Sequence, residues 1–135
     1  MQAIVVDDSR AMRTILGRFL RDAGYDVAEA GDGRAALTRL AQLAGQPGVP
    51  SLALVDWNMP EMNGLEFVRA VRADAAYRDL RIVMVTSETE MERIVLALDA
   101  GADEYLMKPF TREAIFGKLE LLGLAPSPDN RPPES

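Results

Sequence analysis

Cysteine and histidine are both absent from this chain. Without cysteine there is no disulfide and no thiolate nucleophile, and without histidine there is no imidazole base and little with which to build a zinc site. Lysine is scarce too. Only Lys108 and Lys118 occur, in a chain that otherwise carries its positive charge on arginine, so a lysine at a special place invites a role. No apolar run approaches the roughly 20 residues that span a bilayer, and no signal-peptide pattern precedes the first apolar run. The cytoplasm is therefore the expected compartment, with no membrane partner. The formal charge of −6 argues against direct nucleic-acid binding, which needs clustered positive charge against phosphate. Chemistry is left to carboxylates, hydroxyls, amides, Lys and Arg.

What is present reads as an ordinary domain. The 135 residues, 48% hydrophobic and 27% charged, suffice for one domain with a full core. Four short apolar runs, Ala3–Val6, Leu52–Val55, Ile82–Val85 and Tyr105–Met107, are continuous rather than alternating, as parallel strands covered on both faces require. A weaker run, Asp26–Ala30, carries charges at two of its five positions and reads as an edge strand. Between the runs lie helical patterns. Met12, Ile15, Leu16, Phe19 and Leu20 are spaced to share one buried face, and Gly24 is placed as a stop. Ala36, Leu37, Leu40 and Leu43 mark a second helix, and Leu65, Val68 and Val71 a third. Thr89-Glu90-Met91-Glu92 reads as a capping box for a fourth helix running to Gly101, and Ile115, Leu119 and Leu122 mark a fifth.

Strand and helix alternating five times predict an α/β fold, a doubly wound five-stranded parallel sheet with right-handed crossovers. The expected strand order is the flavodoxin-like 2-1-3-4-5. The domain is expected to occupy residues 1–124, with a long Gly/Pro loop, "GQPGVPS", at 45–51. Residues 125–135 hold four of the eight prolines and almost nothing apolar, and read as a disordered tail.

In such sheets the site lies beyond the carboxyl ends of the strands, where the strand order reverses, here between the first and third strands. The first strand ends in Asp7-Asp8 and the third in Asp56. Neighbouring strands are about 4.8 Å apart, so three carboxylates converge within a few ångströms, a crowding that raises at least one pKa. A single aspartate after a strand is commonly a turn or a helix cap; three on adjacent strand ends are not explained that way. Oxygen-only ligands favour a hard cation, and Mg²⁺ typically takes one or two carboxylates with waters and a phosphate. The fourth and fifth strands bring Thr86-Ser87 and Lys108-Pro109 to the same edge, a hydroxyl and an ammonium suited to phosphoryl oxygens.

Together these residues resemble the receiver domain of two-component response regulators. The resemblance rests on Asp7-Asp8, on Asp56 with Trp57-Asn58-Met59-Pro60 and Gly64, on Thr86, and on Tyr105 with Lys108-Pro109-Phe110. It covers about residues 2–124, and "DWNMPEMNGLEFVRAVRAD" and "MVTSETE" look most like single-domain, chemotaxis-type members. Receivers are themselves a known instance of the 2-1-3-4-5 sheet, so strand order and resemblance count as one expectation. The resemblance implies that Asp56 accepts a phosphoryl group from a histidine kinase or histidine phosphotransfer protein, as one step of a phosphorelay. Asp8 and Asp56 would ligate Mg²⁺ with the backbone carbonyl of Asn58, Asp7 acting mainly through the metal's waters. Lys108 would pair with the phosphoryl oxygens, Thr86 would move to bond them, and Tyr105 would rotate into the space vacated. A cis Lys108–Pro109 bond is implied as well. Such a protein catalyses its own phosphorylation and dephosphorylation without being a conventional enzyme.

No DNA-binding or catalytic segment is recognisable after residue 124, so a stand-alone regulator signalling through a partner is expected. The implied output face, the fourth helix, fifth strand and fifth helix, carries Glu88, Glu90, Glu92, Asp103 and Glu104 beside Lys118, with Leu96 and Phe116 as spare apolar residues. It would dock a downstream protein or a second copy of the chain in a weak, phosphorylation-dependent dimer. Its acidity argues against simply carrying over a flagellar-motor target. Two rival classes fit parts of the pattern. Gly31-Asp32-Gly33-Arg34-Ala35-Ala36 matches the GxGxxA of a small dinucleotide-binding Rossmann-like domain but leaves Asp7, Asp8, Thr86 and Lys108 unexplained. A phosphoaspartyl phosphatase-like enzyme uses similar groups, but with its nucleophile in a DxD pattern on the first strand.

Overall fold

The computed structural model describes residues 2–44, 50–59, 62–87 and 91–124. The proposed tail at 125–135, most of the 45–51 loop, Pro60, Glu88, and Thr89-Glu90 of the expected capping box lie outside the described residues. The elements follow in the order β1 (Gln2–Val6), α1 (Arg10–Asp22), β2 (Asp26–Ala30), α2 (Gly33–Ala44), β3 (Leu52–Asp56), α3 (Gly64–Arg72), a single 3₁₀ turn (Ala75–Tyr77), β4 (Arg81–Ser87), α4 (Met91–Ala100), β5 (Glu104–Lys108) and α5 (Arg112–Leu121). All five strands are parallel and lie in the order β2-β1-β3-β4-β5. The weakly apolar run at 26–30 is the edge strand, as its charges require.

The continuous apolar runs are explained by two cores. Side chains alternate across a strand, so Ile4 and Val6 face one side of the sheet and Ala3 and Val5 the other. The first face packs against Leu40 of α2, Phe67, Val68 and Val71 of α3, and Ala97 of α4. The second packs against Leu16 and Leu20 of α1 and Ile115 and Leu119 of α5. β3, in the middle of the sheet, is buried at every position.

Three sequence expectations are corrected by packing. Ile15 is 45% exposed: the buried stripe of α1 centres on Leu16 and Leu20, and Ile15 sits about 100° round from Leu16. Phe116 is no spare surface residue but packs against the second core, with the Arg112 guanidinium 5.3 Å from its ring centroid. Asp103 does not face outward on the output side. It accepts hydrogen bonds from Arg72 Nη2 at 2.9 Å and from the Ile82 amide at 2.8 Å, at the amino-terminal edge of the sheet. Gly24 does end α1, with φ of 96° and its amide donating to the Arg21 carbonyl at 2.9 Å.

Candidate functional site

Asp7, Asp8 and Asp56 meet at the carboxyl edge of the sheet, where β1 and β3 lie side by side. One carboxylate oxygen from each falls within 4.8 Å of the others. Asp56 is the last residue of β3, held in register opposite Val85 of β4, so its position is set by a strand buried on both faces. Asp7 follows β1 directly; its amide donates to the Ala30 carbonyl at 3.1 Å. Its Oδ1 accepts from the Ser9 amide at 2.8 Å, and Ser9 in turn caps α1 by accepting from the Met12 amide at 3.2 Å. The turn from strand to helix is thus built around one of the three carboxylates.

Asp7 is 1% exposed and Asp56 7%, while Asp8 points to solvent. Burial raises the Asp56 pKa to about 6; the neighbouring Asp7 charge adds to that, and Lys108 opposes it. Burial likewise raises the Asp7 pKa, partly offset by the Ser9 amide. Lys108 ends β5 opposite Ser87, and its Nζ lies 3.5 Å from Asp56 Oδ1. One ammonium against three clustered carboxylates leaves negative charge in excess. Asp7 Oδ2 is buried without a hydrogen-bond partner among the described residues. An orphaned carboxylate oxygen within an oxygen-only cluster fits a hard divalent cation. Asp7, Asp8 and Asp56 are the side chains that could hold it.

The remaining predicted residues surround this cluster. Thr86 is buried, 3% exposed, as the penultimate residue of β4, with Oγ1 3.5 Å from the Ser87 carbonyl. Tyr105 is half-buried on β5; Lys118 Nζ stands 4.4 Å from its ring centroid and 3.1 Å from Glu104 Oε1. Lys118 and Glu104 therefore neutralise each other beside Tyr105. The Lys108–Pro109 peptide is cis. Gly64 has a steric reason to be glycine, since a Cβ there would lie 2.8 Å from the Asp56 carbonyl oxygen and 2.7 Å from Met84 Cε. Trp57 is buried at 8% exposure, in the core that includes Phe67 and Val68 of α3.

Two arginines escaped the sequence reading. Arg13 Nη1 donates to the Asp7 carbonyl at 2.6 Å, while its Nε pairs with Glu29 at 3.2 Å. Arg93 Nη1 donates to Asn58 Oδ1 at 2.9 Å. Arg13 had a local signal, being one helical turn past the Ser9 cap; Arg93 had none, because its contact depends on how α4 lies against the β3–α3 loop. The Gly31–Ala36 segment, by contrast, follows the edge strand rather than the reversal point. Asp32 accepts from the Ala35 amide at 2.8 Å, and the space over Gly33 is filled by Met62. That loop is a helix start and not a phosphate cradle.

The fold and this edge define a class. The chain belongs to the response regulator receiver domain family, whose profile spans residues 3–120. It is 41% identical over 123 residues to chemotaxis protein CheY1 of Helicobacter pylori, covering 90% of this chain and 96% of that one. It is 40% identical over 121 residues to chemotaxis protein CheY of Pseudomonas aeruginosa, covering 89% and 94%. Among solved structures, chemotaxis response regulator CheY4 of Vibrio cholerae superposes with a TM-score of 0.78 at 38% identity, covering 90% of this chain and 97% of that one.

Proposed function

We propose that this receiver accepts a phosphoryl group on Asp56 from a histidine kinase or a histidine phosphotransfer protein, and passes the signal to a partner protein by a change of conformation. The observation that carries the reading is Asp56 itself: a buried carboxylate at a strand end, beside two further aspartates and 3.5 Å from Lys108. The ionised Asp56 oxygen attacks phosphorus, and the phosphorus–nitrogen bond of a donor phosphohistidine breaks with its electron pair leaving on the imidazole. These 135 residues contain no histidine, so the phosphohistidine lies outside them. Lys108 pairs with the phosphoryl oxygens as charge transfers onto Asp56. The Thr86 hydroxyl turns to donate to the same oxygens, and Tyr105 moves into the space left behind. Asp7, Asp8 and Asp56, with the backbone carbonyl of Asn58, would hold Mg²⁺, which when bound neutralises charge on the transferred group. Hydrolysis of the acyl phosphate by water, aided by the same groups, returns the resting state, so the protein acts on itself and not on a separate substrate.

Output is assigned to the face of α4, β5 and α5 within a receiver unit of residues 1–124. Val95, Leu96 and Leu98 on α4 are 57%, 48% and 39% exposed, an apolar strip suited to a protein partner. A phosphorylation-dependent dimer through this face is the second occupant. A cytoplasmic site of action agrees with a histidine kinase donor; no helix among the described residues is long and apolar enough to cross a membrane. The direct test is incubation with acetyl phosphate and Mg²⁺, followed by mass spectrometry. One hydroxylamine-labile phosphoryl group on Asp56 is expected. Labelling of Asp56→Asn to the wild-type level would reject the assignment.

A further inference from the structure

A connection runs from the acidic cluster to α4 that the phosphoacceptor chemistry does not use. Arg93, near the start of α4, donates from Nη1 to Asn58 Oδ1 at 2.9 Å, and its Cζ lies 5.5 Å from the Trp57 ring centroid. Trp57 and Asn58 are the two residues directly after Asp56. The indole is fixed in the core, and the Trp57 carbonyl accepts from the Gly64 amide at 2.9 Å. Asn58 is exposed and has already left the strand. A guanidinium can lie against a ring and donate a directed hydrogen bond at once, which neither an ammonium nor an amide does as well. The rest of α4 is attached differently. Ile94 and Ala97 are buried, Ala97 in the core that includes Ile82 and Met84 of β4, and apolar contacts of this kind tolerate small sliding movements.

From this geometry we propose that Arg93 is a positioning residue: it ties α4 to the two residues that follow the phosphoacceptor, so that a change at the acidic cluster repositions α4. The coupling to ligand rests on reading Asp7, Asp8 and Asp56 as the Mg²⁺ and phosphoryl site, whereas the Arg93–Asn58 hydrogen bond does not depend on that reading. Movement of α4 would shift Val95, Leu96 and Leu98, its exposed apolar residues.

The test is hydrogen exchange by mass spectrometry on the full chain. Wild type, Arg93→Met, Arg93→Gln, Asn58→Ala and the Arg93→Met/Asn58→Ala double variant are compared without ligand, with Mg²⁺, and with Mg²⁺ plus beryllium fluoride. Without ligand, Arg93→Met should speed exchange at residues 58–59 and Asn58→Ala should speed it in α4. Each effect should be about two- to tenfold, the factor one hydrogen bond supplies. The double variant should exceed neither single one, and Arg93→Gln, which keeps a donor, should recover part of the protection. With Mg²⁺ and beryllium fluoride, α4 exchange should change in wild type and Arg93→Gln but not in Arg93→Met, although calorimetry finds that variant still binding. An α4 response of wild-type size in Arg93→Met overturns the proposal, and so do additive effects in the double variant. A wild type that binds neither ligand removes the metal reading, and the ligand-free exchange pattern then decides the Arg93 tie alone.

Discussion

The two edges of the sheet solve the same electrostatic problem in opposite ways. At the amino-terminal edge, Arg72 reaches three carbonyls and a carboxylate: Gly101 at 2.9 Å, Tyr77 at 3.0 Å, Leu80 at 2.7 Å and Asp103 Oδ2 at 2.9 Å. Asp103 also accepts from the Ile82 amide at 2.8 Å and faces Arg81 at 3.6 Å. Arg72 and Asp103 are each satisfied within the fold there. At the carboxyl edge three clustered carboxylates face one lysine, 3.5 Å from Asp56 Oδ1, and Asp7 Oδ2 has no hydrogen-bond partner among the described residues. A satisfied network holds elements together; an under-satisfied one is held by them and keeps capacity for something that arrives from outside.

The largest expected effect breaks the comparison at its functional end. Asp56→Ala should lose acetyl phosphate labelling altogether, because among the described residues Asp56 is the carboxylate at ion-pair distance from Lys108; mass spectrometry of the intact chain reads this directly. Arg72→Met should do the reverse. Removing the cation leaves three carbonyls without their donor and Asp103 with only the Ile82 amide and Arg81, and with both charged side chains about one-fifth exposed the cost should be about 2–4 kcal/mol in urea unfolding. Labelling at a temperature where the variant is folded should stay near wild type. A variant that loses labelling in proportion to stability would deny that the two edges are separable.

Asp56→Asn sharpens the contrast through its sign. The folded-state pKa of Asp56, about 6, lies above the ordinary value of 3.8, so the folded protein holds that proton more tightly than the unfolded chain. The stability this contributes is full below about pH 4 and is lost as pH rises through 6. Metal-free wild type should therefore weaken between pH 4 and 7, and Asp56→Asn should be more stable than wild type at pH 7.5 by about 1–3 kcal/mol. Added Mg²⁺ should narrow that gap by stabilising the wild type alone. Chemical denaturation at the two pH values, with and without Mg²⁺, measures all three quantities; a destabilised Asn variant would contradict the picture of unresolved charge.

The smallest effect concerns Lys118, which sits against the Tyr105 ring and Glu104. Lys118→Met keeps the apolar stem and removes the charge, at a cost of about 0.5–1 kcal/mol for a partly exposed contact. The Tyr105 ring should then sample more positions, seen as broadened or shifted aromatic NMR signals, while Asp56 labelling persists. Unchanged ring signals would make the contact incidental.

How much of this was legible follows from range. The strands were readable because burial on both faces forces unbroken apolar runs, and β3 satisfies that at all five positions. Once five strands alternate with helices, the parallel arrangement carries every strand end to one edge, so Asp7, Asp8, Asp56, Thr86 and Lys108 could be gathered from the chain alone. The partners of Asp103, Arg93 and Phe116 could not be. Asp103 read as one more acid on an acidic face, yet its contacts come from residues 21 and 31 positions away. Ile15 was misread for a related reason: its periodicity says that it belongs to a helix stripe, not how far the packed helices cover it.

The sequence by itself determined which carboxylates and which lysine meet, because strand direction and side-chain alternation are local properties repeated along the chain. Only the tertiary structure decided how buried Asp56 is, what balances it, and that Arg93 crosses from α4 to Asn58. Those depend on the separation of helices and strands packed against one another, which is set by the combined volume of many side chains and encoded in no single stretch.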